Sequence, residues 1–451
     1  MVCLLTIVSC RKFVEVDIPQ NELIKSTVFE SSKTANAAQL LIYTQMAGEG
    51  LSYNYFSFYP GLLSDELVDF TAQNSTIELY TNGVLRNNLA VTETWQVMYK
   101  MIFEANAVVE GIDASINLTQ DVKKQIKGEA LFSRAFLYFY LVNYFGDVPL
   151  ITNTRYKENA TSPRTASDKI YSAILADLLE ARNLLNENYV GADGLSISTE
   201  RLRPNKSAAT ALLARVNLYL KNYGKAIEYS TEVISNEIYH IEPNLDAVFL
   251  KNSPEAIWQL SNGNTFNTFE GLNYILYSYP YYAALSPLLV DAFSANDLRR
   301  NQWLGTYTEG TDTFYFPFKY KVQYSPDVTE YVMVLRLAEQ YLIRSEAKAN
   351  LNDISGANQD LNTIRNRAGI PDTLIRTQSA LIDAMLKERQ RELFTEWGHR
   401  WFDLKRTGRI DAVMSKVTPY KGGSWQVYKV LMPIPQDEII KNIKLTQNNG
   451  Y

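Results

Sequence analysis

An arginine set inside an apolar helical stripe recurs three times in this chain, and it limits the fold more than any other feature. Ala130-Leu-Phe-Ser-Arg134-Ala, Ala211-Leu-Leu-Ala-Arg215-Val and Gln340-Tyr-Leu-Ile-Arg344-Ser share it. A buried guanidinium without a partner is very costly, so each arginine must meet a carboxylate or carbonyls of a neighbouring element. Short turns follow the second and third copies, at Tyr223-Gly-Lys-Ala226 and Ile354-Ser-Gly-Ala357. Helix-turn-helix units of this kind bury their apolar faces only by stacking, which predicts a mainly α, tetratricopeptide-like repeat scaffold. The copies are irregularly spaced, so the array must carry large insertions.

Periodicity extends the reading. Trp95, Tyr99, Ile102, Asn106 and Val109 recur at spacings of four and three, one stripe of a helix, with Asn106 expected to bond a neighbouring backbone. Ile126, Ala130, Arg134, Leu137 and Leu141 mark the next helix, about 122–144, and Ile170, Ile174, Leu178 and Leu185 another over 166–185. A last long helix is expected at about 380–398. Helical repeats are thus expected at about 93–145, 166–235, 334–368 and 378–406. Between them, about 238–333 reads as an inserted loop and strand subdomain: its aromatic stretches are broken by Asn, Gly, Pro and Ser, and Phe314, Phe316, Phe318 and Tyr320 alternate as in a short strand. With 51–82, it supplies the non-helical surface on which a site could be built.

Composition removes several functions. A formal net charge of -5, with no long basic block, speaks against nucleic acid as a partner. The two cysteines, Cys3 and Cys10, both lie at the N-terminus, so no disulfide or Cys-rich metal site can form in the body. His240 and His399 are the only histidines and stand in unrelated contexts, read as one surface and one structural residue. No metal or cofactor is expected. Aromatics make up 12% of the chain, enough to build stacking surfaces as well as core.

The first residues form an apolar run that stops at Cys10 before Arg11-Lys12. Residues 1–9 read as a signal peptide lacking its positive start, and Ile7-Val8-Ser9-Cys10 resembles a bacterial lipobox. Cys10 is then the lipid attachment site of a domain spanning 10–451.

Several segments together resemble the SusD/RagB family of Bacteroidetes outer-membrane nutrient-binding lipoproteins. They are Phe13-Val-Glu-Val-Asp-Ile-Pro19 after the lipobox, Trp95 to Asn106, Gly128 to Tyr138, Asn143-Tyr-Phe-Gly146-Asp-Val-Pro149, Glu388 to Arg406, Leu431 to Glu438 and Gln447 to Tyr451. The resemblance implies a helical scaffold of four tetratricopeptide pairs with loops and small strands forming the ligand face. It implies a surface lipoprotein, not an enzyme, that acts as a lid on a TonB-dependent SusC-type transporter and captures oligosaccharides or, as in RagB-like members, peptides. A tetratricopeptide scaffold that binds only another protein is the alternative of another class. Within the C-terminal block, Arg391, Glu392, Glu396, Arg400, Asp403 and Arg406 read as an ion-pair network along a helix and its exit, since surrounding arginines keep carboxylates ionised. The tempting acidic pair, Asp65-Glu66, is expected on an extended segment, where adjacent side chains point apart and cannot flank one bond.

No family motif encodes the ligand, so the site is read from loop aromatics. A tyrosine can stack on a sugar's C–H face while its hydroxyl bonds the rim. Tyr53, Tyr55, Tyr59, Tyr279, Tyr281, Tyr282, Trp303 and Tyr307 are the candidates, with Trp303 foremost because its neighbours, Arg299 to Gln302, are polar. Phe56, Phe58, Phe314 and Phe316 lack the polar handle and are expected as core beneath the loops.

Overall fold

The computed structural model describes residues 27–48, 51–263 and 266–451. Cys10 and the lipobox lie outside the described residues. The body is mainly helical: α1 (Ser32–Ala47), α2 (Leu89–Ala114), α3 (Gln120–Phe145), α4 (Ser167–Leu184), α5 (Lys206–Tyr219), α6 (Tyr223–Ile234), α7 (Leu337–Asn350), α8 (Ile354–Arg367), α9 (Gln378–Leu393) and α10 (His399–Arg406). From α2 to α8 each helix packs on the next, and α9 packs on α7, α8 and α10. Side-chain caps start several of them, as Asn88 does for α2 and Asn205 for α5, by accepting from an otherwise unbonded backbone N–H.

α3 sits in the middle. From Gly128 to Phe145 every residue is buried, because α1, α2, α4 and α5 all pack against it. A helix apolar all round can be stable only when enclosed, so the single stripe read from the sequence is one of several covered sides.

The three arginines hold neighbouring helices together. Arg134 of α3 donates to both Asp177 oxygens on α4, at 2.7 and 2.6 Å, and to Asn106 Oδ1 on α2 at 2.8 Å. Asn106 in turn donates to the Ile151 carbonyl at 3.0 Å. Arg215 of α5 forks onto Glu339 of α7 with both bonds at 2.6 Å. Arg344 of α7 binds Asp360 of α8 at 2.9 and 2.7 Å and reaches Thr231 of α6 at 3.3 Å.

Six short strands form three antiparallel pairs among the described residues: β1 (Leu67–Asp69) with β3 (Ala283–Leu285), β2 (Ala256–Leu260) with β6 (Val332–Arg336), and β4 (Leu304–Glu309) with β5 (Asp312–Pro317). β6 runs directly into α7, and the β2–β6 pair is buried throughout, so this pair ties the inserted region to the helices. The strand expected around Phe314 is β5, and it ends at Pro317, whose ring removes the N–H a ladder needs.

α9 departs from expectation by ending at Leu393. Thr395, Trp397 and Gly398 then take φ of 53°, 48° and 70°. Glycine tolerates that region and the other two do so only under constraint. Tyr140 donates to the Trp397 carbonyl at 3.2 Å, Trp397 Nε1 donates to the Met333 carbonyl at 2.6 Å, and Lys319 Nζ caps the Glu392 and Phe394 carbonyls at 2.8 Å each. Glu396 therefore lies in this turn, not on the helix.

Candidate ligand-binding site

Charge is concentrated at the turn after α9, where the inserted region meets the helices. Glu392 accepts from Arg299 at 2.8 Å, from Arg336 at 2.6 Å and from Arg367. Glu396 accepts from Arg336 at 2.7 Å and from Lys319 at 2.5 Å, while Glu255 joins Arg336 and Arg367. Asp403 bridges Arg389 and Arg406 at 2.6 and 2.8 Å. Burial alone would raise these carboxyl groups, but at Glu392 the charges of Arg367, Arg336 and Arg299 outweigh it and hold the group well below its usual range. Glu396 is lowered in the same way by Arg336 and Lys319. Such carboxylates stay ionised and cannot donate a proton, which fits a structural seam and not acid catalysis. A cavity of about 20 Å³ beside Lys319 and Glu396 has room for about one water and none for a sugar ring.

Asp65 and Glu66 lie in a turn, not on an extended segment. Burial raises Asp65, but the Arg400 charge and two hydrogen bonds, at 2.7 and 2.6 Å, overcome it and lower the group. Burial, then the Asp65 charge, pushes Glu66 up to about 8, and its carboxylate accepts from the Thr395 N–H at 3.3 Å. Their values split as an acid and base pair would, yet both are buried among protein groups with separate partners. Of the histidines, His240 is exposed and His399 is buried beside Arg389.

The aromatic surface is a different construction. Ile275 and Leu276 are buried against Phe316 in a small satellite core on which Tyr307, Phe314 and Phe318 also rest. Anchoring those two residues leaves the following run outside: Tyr277, Tyr279 and Tyr281 are 73%, 55% and 69% exposed. Tyr279 stands edge-on against Phe314 and Phe70, with centroids 5.1 and 5.6 Å away. Tyr281 meets Tyr282 at 4.8 Å and nearly perpendicular planes. Together with Gln323 and the 78% exposed Tyr324 they line an open concavity of about 370 Å³. Gln323 Nε2 donates to the Leu272 and Ile275 carbonyls at 3.0 Å each, which pins the loop.

The structure thus gathers Tyr279, Tyr281 and Tyr282 at one concavity and sets Tyr307 beside it. Tyr53, Tyr55 and Tyr59 are buried on the irregular helical stretch 51–63, Tyr53 touching Tyr282 from beneath at 6.3 Å between centroids. Trp303 is a correction: it is 0% exposed, donates to the Leu245 carbonyl at 3.0 Å and packs on Phe249. Its ring covers Lys319, Arg367 and Arg336 at 5.0, 5.4 and 5.9 Å, so its polar neighbourhood belongs to the ion seam. Phe56, Phe58 and Phe316 are core, while Phe314 is half-buried. Tyr277 and Tyr324 were missed. The first shares the run Tyr277-Ser-Tyr279-Pro-Tyr281-Tyr282, and the second stands beside Ser325-Pro326, a loop signal that could have drawn attention to it.

Residues 294–451 match the model of the SusD family, and residues 17–218 match one described as starch-binding associating with outer membrane. The chain belongs to the SusD family. Its relatives include SusD-like proteins P25 and P2 of Formosa agariphila, 25% and 26% identical over 98% and 100% of this chain and 97% and 98% of theirs. Similar solved structures include a SusD superfamily protein from Bacteroides vulgatus, with TM-score 0.82 and 21% identity over 93% of this chain and 99% of that one. A laminarin binding SusD-like protein aligns with TM-score 0.77 and 23% identity over 92% and 99% of the two chains. Surface glycan-binding protein A from Bacteroides thetaiotaomicron, in complex with laminarihexaose, aligns with TM-score 0.77 and 20% identity over the same shares. At these identities the structural likeness shows the fold. SusD-family proteins bind carbohydrate and are not enzymes, and the family is associated with the outer membrane. No helix among the described residues of this SusD-family chain is long and apolar enough to cross a membrane.

Proposed function

We propose that this SusD-family protein is an outer-membrane surface lipoprotein that binds nutrient oligosaccharides at the 275–282 concavity and delivers them to a TonB-dependent SusC-type transporter. The observation that carries the reading is the row of exposed tyrosine faces around an open concavity, with Tyr279 backed by Phe70 and Phe314. Rings held from behind lose little freedom when a sugar stacks on them. The glycans named for two structural neighbours agree with it, and Cys10 is proposed as the acylated residue that holds the protein at the membrane. Proposed contacts are Tyr279, Tyr281 and Tyr282, with Tyr277 and Tyr324 added and Tyr307 at the edge. The helical side is proposed to serve as a tetratricopeptide-type support. Replacing Tyr281 by Ala should weaken binding of a glycan identified on an array by ~0.5–1.5 kcal/mol, about three- to tenfold in Kd, with the melting temperature unchanged. Undiminished affinity in both Tyr279→Ala and Tyr281→Ala variants would remove the site from this concavity.

A further inference from the structure

We infer that the glycan taken by this concavity is uncharged, built from neutral sugars and not from uronates or sulfate esters. The inference rests on the glycan-binding reading above.

Anionic sugars are held by charge-assisted hydrogen bonds from Arg or Lys, roughly twice as strong as neutral ones. Among the described residues the lining of this face includes no cation for them. Between Asn252 and Leu298, and again between Asn301 and Phe318, the sequence contains no Lys, Arg or His. Across 252–331 the cations are Arg299, Arg300, Lys319 and Lys321, and each is occupied. Arg299 is buried on Asp297, Glu388 and Glu392. Arg300 donates to the Val290 and Phe293 carbonyls at 2.8 and 3.3 Å. Lys319 is the buried cap of α9, and Lys321 binds Asp246 at 3.0 Å and the Phe318 carbonyl at 2.7 Å.

The charges that do flank the concavity in sequence are negative. Asp69 precedes Phe70, Glu309 and Asp312 close the β4–β5 hairpin, and Asp327 follows Tyr324. A carboxylate or sulfate docking there would lose water without gaining a cation from the lining. What the lining does offer is phenol hydroxyls, the Asn273 amide and the amide oxygen of Gln323, which pair with sugar hydroxyls without a charge.

Another cleft among the described residues could serve an anion. Arg86 and Lys429 line a cleft of about 680 Å³ with Tyr428 and Tyr451, and it shares no lining residue with the concavity. It is therefore the internal control.

The test titrates the full-length protein with laminarin as a neutral glucan, polygalacturonate as a uronate and carrageenan as a sulfate ester, at low and high salt. The expected result is binding to laminarin alone, weakened about three- to tenfold by Tyr281→Ala, unchanged by Arg86→Ala, and varying less than about twofold with salt. An acidic glycan that binds, is displaced by salt and is weakened by Tyr281→Ala overturns the charge class and leaves the glycan reading standing. Acidic-glycan binding lost in Arg86→Ala and kept in Tyr281→Ala overturns it by moving the ligand to the other cleft. Binding to a peptide pool with none to any of the three glycans overturns the glycan reading itself.

Discussion

The inserted region contributes to both the seam beneath Trp303 and the concavity around Tyr281, and the two differ in whether their functional groups are available. In the seam Arg299, Arg336, Arg367 and Lys319 meet Glu255, Glu392 and Glu396, and the indole of Trp303 lies over the cations. Every charge there is spent on another part of the protein. At the concavity the rings are equally close to one another, yet Tyr277, Tyr279 and Tyr281 keep a face toward solvent while Phe70 and Phe314 hold one of them from behind. Residue type alone would have favoured the seam, with its paired carboxylates and its tryptophan. Availability favours the concavity.

The sharpest way to break this contrast is Arg336→Met. It strips Glu392, Glu396 and Glu255 of a shared cation in a buried site, so denaturant or thermal unfolding should show a loss of about 3–5 kcal/mol or more. Glycan affinity measured well below the melting temperature should not move. An unchanged melting temperature with abolished binding would turn the seam into part of the site. Trp303→Ala comes next: removing a fully enclosed indole should cost about 3–5 kcal/mol of stability, with affinity intact. A drop in affinity without destabilisation would restore the role its polar neighbours suggested.

The most gradual effect, smallest per pH unit, is a pH dependence that belongs to the packed side of the comparison. Glu66 is raised from 4.5 to about 8 by burial and then by Asp65. Between those values the folded state keeps a proton that the unfolded chain has released, so this contribution is full below the unfolded value and fades as pH rises through the folded one. Stability should fall by ~1.4 kcal/mol per pH unit within that window, and Glu66→Gln should flatten that part of the profile. An identical slope in the variant would show that Glu66 does not carry it.

Much of the helical body was legible because periodicity and burial are local quantities. Helices expected at 122–144 and 166–185 are Gln120–Phe145 and Ser167–Leu184, and Arg134, Arg215 and Arg344 each found the carboxylate that a buried guanidinium requires. The end of α9 was not legible. The turn after Leu393 is held by groups from elsewhere: Lys319 bonds the Phe394 carbonyl, Ser57 the Thr395 carbonyl at 2.6 Å, and Met333 and Tyr140 bond Trp397, with Thr395 and Trp397 at positive φ.

The sequence by itself determined the mainly helical class, the family and the need for buried ion pairs, since apolar spacing and the cost of a lone guanidinium act within or between neighbouring helices. Only the tertiary structure decided which tyrosines face solvent. Tyr53 and Tyr281 are both tyrosines of non-helical-looking aromatic runs, yet Phe58, Tyr274 and Tyr282 enclose the first, while burial of Ile275 and Leu276 pushes the second outward. Exposure depends on what distant segments cover, and a sequence records a residue's neighbours along the chain, not those packed across it.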